Sequence, residues 1–517
     1  MSTIAYSRNT YAKLIPLIKG IFNFACGANH YIYKYDSRVG VGPSYHTVYE
    51  ALIKLAENDA RVIQEVTKSR TSSWVLRFDN VQHYVRPRNF RVGREATMKV
   101  GTAGTVFEVL DFSEAAMSIR NKKEKILEGK RADLTFQKLI SFIDTKHIDK
   151  VCAVQWLQIL VDYVPWLKVY KPEVTKLYAT VVAKKILPIR KSQIFPLPTN
   201  GHNETITAEL LKALLDFVQE MGYSEESPPN HLIHVGGDGL TYERMVLLKL
   251  YMQFHDTPFQ RLEWLQPFLE TWHTSWTDLS RIFEAHWDSL LSSDPSSIGH
   301  SANQIKRKAP SNLKKVDYYP YSELAYQVLD ARILDCWRYV LLDGYVQRLT
   351  DTTRIDLAGK DGDLLQYFEL AETRNEIPSF TSLWEKAQTL FRSYGHPHAF
   401  ERALSGNYPN VETTVAIGDA WVSPLQETSS AHLGRTKKGP YQKNKKKNGE
   451  ESDEEPIPFF GDQTLAQSCR FMYDATISRE VIYAITDGDI GRVWEVLKVC
   501  TQNYLKFDKA LKKIYSQ

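Results

Sequence analysis

Two aspartates near the ends of predicted strands are the residues best suited to carry chemistry. Asp79 lies in the β-rich segment 74–81, and Asp238 follows the short apolar segment 231–237. A carboxylate in such a place is costly to bury unless it is paired or binds a metal ion. Two of them together could hold divalent cations that clamp the attacking and leaving oxygens of phosphoryl transfer. The alternative is that both belong to turns, for which Asp-Asn and Gly-Asp-Gly are common sequences.

Several histidines lie near the second aspartate in the sequence. They are His231, His234, His255, His273 and His286. A zinc site on one helix would need two histidines at positions i and i+4, and none of these has that spacing. Positions in the core or at helix caps are therefore the favoured interpretation for the group.

Common nucleotide-binding and hydrolase motifs are missing from the sequence. It has no G-x-x-x-x-G-K-[ST] loop, no G-x-G-x-x-G after a predicted strand, no G-x-S-x-G and no kinase signature set. This disfavours P-loop nucleotide hydrolysis, dinucleotide-dependent redox chemistry and α/β-hydrolase chemistry.

Length and composition indicate a globular protein. A chain of 517 residues allows two to four domains, and 43% hydrophobic with 24% charged residues excludes a mainly disordered or fibrous chain. The net charge is only +4, so any contact with nucleic acid must come from local patches. Five cysteines without a C-x-x-C pair disfavour a disulfide framework and suit a reducing compartment. The apolar run from Leu14 to Ala28 is interrupted by Lys19 and too short for a bilayer, so we expect an intracellular protein without a membrane partner.

Helical, strand-rich and helical regions follow one another along the chain. Apolar residues at helical spacing predict helices over 9–68, and the strand-like segments from Ser72 precede an alternation of strand and helix to about residue 240. Segment 97–112 is expected to form two strands about its glycines. Beyond Thr241 the pattern is helical to about residue 290, and helices resume over 321–352 and 381–394. This order predicts an α/β layered core with large helical additions.

Three places could contact nucleic acid. Ser44, Tyr45 and His46 begin a helix after a glycine-containing break, as in a helix-turn-helix, although a plain helical hairpin is the favoured alternative. Two basic stretches offer phosphate contacts, and the second could equally be a solvated spacer. Their residues are Lys306, Arg307, Lys308, Lys443, Lys445 and Lys446.

Four sequence blocks, in this order, resemble a family of uncharacterised fungal proteins that is abundant in mushroom-forming basidiomycetes. They are 72–81 with the glycines at 101 and 104, 234–244, 261–267 with a histidine at 273, and 487–498. The second block departs from the usual Gly-Asp-Gln-Leu-Thr of the family, because Gly239 replaces the glutamine. The resemblance extends over nearly the whole chain.

This resemblance implies a transposon-derived protein with an RNase H-like mixed sheet. Asp79 would be the acid of the first strand and Asp238 the acid after the fourth strand, and together they would bind Mg²⁺ or Mn²⁺. His273, three residues after Glu270, looks similar to the acid/Cys-x-x-His element that follows the second acid in hAT and Mutator-like transposases, and it would order the site. The helices from about residue 280 would be the insertion that those enzymes place before the third acid.

The resemblance also predicts the division of the chain. We expect a helical N-terminal module, an RNase H-like α/β core, a helical insertion, a disordered charged linker and a truncated helical C-terminal segment. Their ranges are 1–70, 71–291, 292–423, 424–457 and 458–517. Family members continue beyond the last block, so we expect the third acid to be missing and this copy to be inactive or dependent on a partner. Glu323 and Asp335 are the candidate substitutes.

Three functional hypotheses follow. The first is metal-dependent cleavage or strand transfer of phosphodiesters, acting on DNA in the nucleus. The second is a non-catalytic scaffold for nucleic acid or protein, a domesticated relic of a transposon. The third is a structural helical protein in which Asp79 and Asp238 only cap turns.

Overall fold

The structure is a computed structural model that describes residues 8–9, 14–68, 73–86, 95–109, 111–346, 364–405 and 462–507. The chain divides into two compact units, one formed by 1–133 and 190–273 and the other by 134–189 and 274–517. All the described strands belong to the first unit, and the described elements of the second unit are helices. The protein is therefore of mixed α/β class, mostly helical, with a small five-stranded sheet.

The sheet of the first unit is mixed. In chain order, its strands are β1 (Ser73–Val85), β2 (Thr97–Val109), β3 (Ile194–Pro196), β4 (Ile233–Gly237) and β5 (Leu265–Leu269). Across the sheet, the strands lie in the order β3-β2-β1-β4-β5. β1 and β2 form an antiparallel hairpin and β3 pairs antiparallel with β2, whereas β1, β4 and β5 run parallel. The carboxyl ends of these three parallel strands consequently meet at one edge of the sheet.

The described helices surround and follow this sheet. In chain order they are α1 (Leu14–Ala25), α2 (His30–Arg38), α3 (Tyr45–Thr67), α4 (Glu114–Met117), α5 (Ile119–Leu127), α6 (Phe136–Ser141), α7 (Thr145–Tyr163), α8 (Lys171–Thr180), α9 (Thr207–Glu220), α10 (Gly239–Met252), α11 (Thr271–His286), α12 (Ile298–Gln304), α13 (Tyr318–Val346), α14 (Leu364–Thr373), α15 (Phe380–Leu390), α16 (Pro397–Ser405), α17 (Gln463–Thr486) and α18 (Ile490–Phe507). Short 3₁₀ or π turns lie at Pro165–Tyr170, Leu313–Lys315 and Phe391–Gly395. No helix in these described ranges combines the length and the apolar character needed to cross a membrane.

One face of the sheet carries the core of the first unit. Trp74, Leu76 and Phe78 alternate along β1 and are buried, because every second side chain of a strand points to the same face. Phe217 of α9 packs against Phe78 with 5.8 Å between the ring centroids. The intervening side chains of β1, among them Asp79, point to the opposite face.

The second unit has a core of its own around α7. This helix buries residues on all sides, as its lack of an amphipathic pattern requires. Its Trp156 packs edge-on against Phe391, and the Trp337 indole N–H donates to the Trp156 carbonyl at 3.0 Å. The two units therefore hold separate apolar cores.

A buried polar network lies beside this second core and explains the block 487–498. Arg492 donates through Nε to Glu480 at 2.8 Å and through Nη1 to Asp487 at 2.6 Å, and Glu480 also accepts from Gln155 at 2.6 Å. Asp489 accepts the backbone N–H groups of residues 184 and 185 at 2.8 Å. The block therefore joins α17 and α18 to the end of α8 through charged hydrogen bonds.

Several predicted elements differ from the observed ones. Segment 97–112 forms one long strand, β2, instead of two, because its glycines continue the β1 pairing without a break. Residues 265–269, expected to be helical, form β5, which tolerates Pro267 because it is the edge strand. The predicted linker 424–457 lies outside the described residues, and the predicted domain boundaries stay a prediction.

Candidate functional site

Asp79 lies in the middle of β1 and not at the strand end that the sequence predicted, whereas Asp238 directly follows β4. The parallel pairing of β1 with β4 runs Val75 to His234, Leu76 to Val235 and Arg77 to Gly236. Continued by two residues, this register sets Asp79 opposite Asp238. Asp238 itself is the first residue after β4 and begins the turn into α10, so the register brings the two backbone positions to neighbouring points of the sheet.

The two aspartates differ in their surroundings. Asp79 is exposed, and its Oδ1 accepts the backbone N–H of Asn80 at 2.8 Å. Asp238 is half-buried and caps α10, since its Oδ1 accepts the Thr241 N–H at 2.7 Å. A carboxylate has two oxygens, so this cap occupies only part of the Asp238 side chain. The observed geometry therefore allows Asp238 to cap the helix and to bind a ligand at the same time.

Glycine at position 237 permits this cap. A Cβ added to Gly237 would lie 2.7 Å from Cγ2 of Thr241, closer than real Cβ contacts allow. The Thr241 side chain therefore packs directly on the backbone of the strand end, and α10 begins immediately at the sheet edge. The sequence Gly-Gly-Asp is required here by close packing as well as by turn formation.

A third carboxylate, that of Glu204, lies close enough to be affected by the negative charges of Asp79 and Asp238, and it was not among the residues predicted from the sequence. Glu204 is only 3% exposed, and its Oε2 has no hydrogen-bond partner. Burial, together with the negative charges of Asp79 and Asp238, raises the pKa of Glu204 to about 7. In the sequence it resembles an ordinary acid preceding a helix, like Glu209 in the first turn of α9, so no local signal distinguishes it.

The segment that carries Glu204 is fixed to β2 and to β1. Thr102 donates its backbone N–H to the Asn200 carbonyl at 3.0 Å and its hydroxyl to the His202 carbonyl at 2.6 Å. Gly101 makes this approach possible, because a Cβ there would lie 2.5 Å from the Asn200 carbonyl oxygen. The backbone N–H of Glu204 itself donates to the Asn80 side chain at 3.4 Å, next to Asp79.

His273 lies at the same edge of the sheet but reaches the aspartates only indirectly. Its Nε2 is 3.8 Å from Oε2 of Glu270, the residue that directly follows β5. Glu270 is almost fully buried and accepts two hydrogen bonds from the Arg77 guanidinium. Arg77 is two residues before Asp79 on the same face of β1, so the contacts of His273 and Glu270 extend to the neighbour of the first acid on that face.

The spacing of these groups is not that of a closed metal site. In the described part of the chain, no group of three or more His, Cys, Asp or Glu side chains is arranged to hold a metal ion. Like charges repel, so three carboxylates without a cation between them stand apart.

The predicted nucleic-acid contacts have different environments. Ser44 caps α3 by accepting the Thr47 N–H at 3.2 Å, and the Tyr45 ring packs 5.2 Å from that of Tyr33, whereas His46 is exposed. In the second unit Lys306 and Lys308 are exposed, and Arg307 pairs with Glu323 at 3.1 Å. The three lysines at 443, 445 and 446 lie outside the described residues.

The candidate substitutes for the third acid belong to α13 of the second unit. Besides the pair between Glu323 and Arg307, Asp335 accepts from Arg338 at 2.8 Å. Both acids thus have basic partners on the surface of their own unit. Their role as substitutes stays a prediction.

Comparison with known proteins gives the family of the chain. Residues 129–509 match a family of unknown function, DUF6589, which is well over half of the chain. The chain belongs to the DUF6589 family. The match includes Glu204, Asp238 and His273 and leaves Asp79 outside. A search of curated proteins and a search of solved structures found no match to this DUF6589 protein.

Proposed function

We propose that this DUF6589 protein is a transposon-derived, RNase H-like protein that cleaves or transfers phosphodiesters of DNA in a metal-dependent reaction. The observation that carries the proposal is the position of Asp79 on β1 and of Asp238 directly after β4, because β1 and β4 are adjacent parallel strands. The resemblance requires one acid on the first strand and one after the fourth strand, and these strands are neighbours in the sheet. The proposal includes a fungal origin and a nuclear location, which follow from the resemblance alone.

The donor atoms of the site suit Mg²⁺ or Mn²⁺. Carboxylate oxygens are the ligands that these hard cations prefer, and the unpartnered oxygen of Glu204 shows that the site has unused acceptor capacity. Asp79 and Asp238 would hold the cations. When bound, such cations would activate water or a 3′-hydroxyl and neutralise charge on the phosphate.

The residues around the aspartates would position them. Asp238 is held by its cap on α10, which fixes one carboxylate oxygen and orients the other. Arg77 is held by Glu270, and His273 stands on the far side of that pair, so this contact chain would order the face on which Asp79 lies. Arg77 also brings a positive charge to the side of the sheet where a phosphate would approach.

A non-catalytic scaffold is the second candidate function. The observation that favours it is the N-cap bond of Asp238, which explains this carboxylate without a metal ion. Such a scaffold would contact nucleic acid through exposed basic residues such as Lys306 and Lys308, and its affinity would fall steeply with salt.

Calorimetric titration with Mn²⁺ distinguishes the two candidates. The variants are Asp79→Asn and Asp238→Asn, because asparagine removes the charge and still caps a helix. Asp59→Asn, which changes an exposed acid on α3, is the matched control. We expect binding by the wild type and the control and its loss in both site variants.

Two results would count against the proposal. The first is a wild type that does not bind Mn²⁺, and the second is binding that survives in both site variants. Either result would favour the scaffold, whose DNA affinity should then be measured against salt concentration.

A further inference from the structure

Glu204 is buried in a way that stability alone does not explain. Its side chain is 3% exposed, yet Oε2 has no hydrogen-bond partner. A buried acceptor without a partner costs about 1–3 kcal/mol, and a buried charge costs more. Native proteins keep such groups rarely, and mostly where a ligand or a function requires them.

The usual compensation for a buried carboxylate is a basic neighbour, and Glu204 has none. Among the residues that the structure describes, no ion pair joins Glu204 to lysine, arginine or histidine. The charges that act on it are instead those of Asp79 and Asp238, which are of the same sign. Glu204 is thus buried in the field of two like charges.

The backbone holds Glu204 in this position. The hydrogen bonds of Thr102 to the carbonyls of Asn200 and His202 attach the segment to β2, and the Asn203 N–H donates to Glu209 of α9 at 2.7 Å. These contacts fix the segment from the sheet side and from the helix side. The backbone of Glu204 is therefore held beside Asn80, the residue that follows Asp79.

From this juxtaposition we infer that Glu204 is the third ligand of a divalent-cation site that it forms with Asp79 and Asp238. The inference deepens the proposed function and rests on it. A hard cation such as Mg²⁺ or Mn²⁺ supplies the positive charge that this buried oxygen lacks. Asp79 is exposed and would contribute the ligand on the solvent side.

The inferred site would supply the third acid, for which the resemblance gives no position in this chain. All three carboxylates of the inferred site belong to the first unit, on β1, after β4 and before α9. Neither Glu323 nor Asp335 of the second unit is then needed to complete it. The cation site would be complete within residues 79–238.

Mn²⁺ titration of Glu204→Gln tests the inference. Glutamine has nearly the same shape and removes the charged oxygen, so we expect the affinity for Mn²⁺ to fall at least about tenfold. The matched control is Glu243→Gln, which removes an exposed charge of α10 close to Asp238 in sequence. Circular dichroism spectra and melting temperatures of both variants establish that they are folded.

The outcomes separate this inference from the proposed function. If Asp79→Asn and Asp238→Asn abolish binding while Glu204→Gln binds like Glu243→Gln, the third ligand is refuted and the two-aspartate site stands. If the wild type does not bind Mn²⁺, both fail together. A Mn²⁺-dependent rise in melting temperature that is present in the wild type and Glu243→Gln but absent in Glu204→Gln supports the inference without any activity assay.

Discussion

Replacing Glu204 with glutamine should stabilise the metal-free protein, and this stabilisation should grow with pH. Burial and the charges of Asp79 and Asp238 raise the pKa of Glu204 from an ordinary 4.5 to about 7. Between these values the folded protein keeps a proton that the unfolded chain has released. The free energy of unfolding of the wild type therefore falls as the pH rises through this window, and glutamine removes that loss.

The magnitude follows from the two pKa values. At about 1.4 kcal/mol for each factor of ten in proton affinity, the wild type should lose about 3 kcal/mol between pH 4 and pH 8 that Glu204→Gln keeps. Because the side chain is almost completely buried, solvent screening reduces this value little. The sign is unusual, since most substitutions of buried residues destabilise a protein.

The assay is urea unfolding of the wild type and Glu204→Gln in EDTA at pH 5 and pH 8, with Glu243→Gln as the control. The free energy of unfolding of Glu204→Gln should exceed that of the wild type by about 1 kcal/mol at pH 5 and by about 3 kcal/mol at pH 8. Saturating Mn²⁺ at pH 8 should reduce or reverse it, because the cation stabilises only a site with all its ligands. A stability difference that is the same at both pH values would refute the electrostatic argument.

Three further predictions concern residues that support the candidate site and the core of the second unit. Gly101→Ala should weaken Mn²⁺ binding in calorimetry, because the added Cβ would lie 2.5 Å from the Asn200 carbonyl oxygen and displace the segment before α9; unchanged affinity would contradict this. Asp238→Ala should be about 1 kcal/mol less stable to urea than Asp238→Asn, which keeps the helix cap, and equal stabilities would show that the cap contributes nothing. Arg492→Met should cost about 3–5 kcal/mol in urea unfolding, because it leaves Glu480 buried without its cation, and a cost below about 1 kcal/mol would argue against the network.

Local patterns in the sequence were sufficient for the elements that carry strong periodicity. The β-rich segment 74–81 predicted β1, and the short apolar run before Asp238 predicted β4. Ser44 was predicted as a helix cap, and its hydroxyl accepts the Thr47 N–H. These features depend on neighbours within a few residues, so the sequence contains all the information they need.

Elements that depend on distant partners were missed. Residues 265–269 form a strand because β4 is available to pair with them, and their own composition, with Pro267, gives no such indication. The single long β2 likewise depends on β1, whose pairing runs uninterrupted past the glycines. Tertiary pairing overrides local preference in both cases.

The candidate site also depends partly on local sequence and partly on contacts between distant segments. Residue type and strand periodicity are local properties, and they were enough to predict a strand around Asp79 and a strand before Asp238. The predicted end of the first strand was wrong, because pairing with β2 extends β1 to Val85. That these strands are parallel neighbours, and that Glu204, an ordinary acid in a loop, is buried within the influence of both charges, depends on the tertiary structure. The physical reason is that burial and charge proximity are set by chain packing between segments far apart in sequence, which no local pattern encodes.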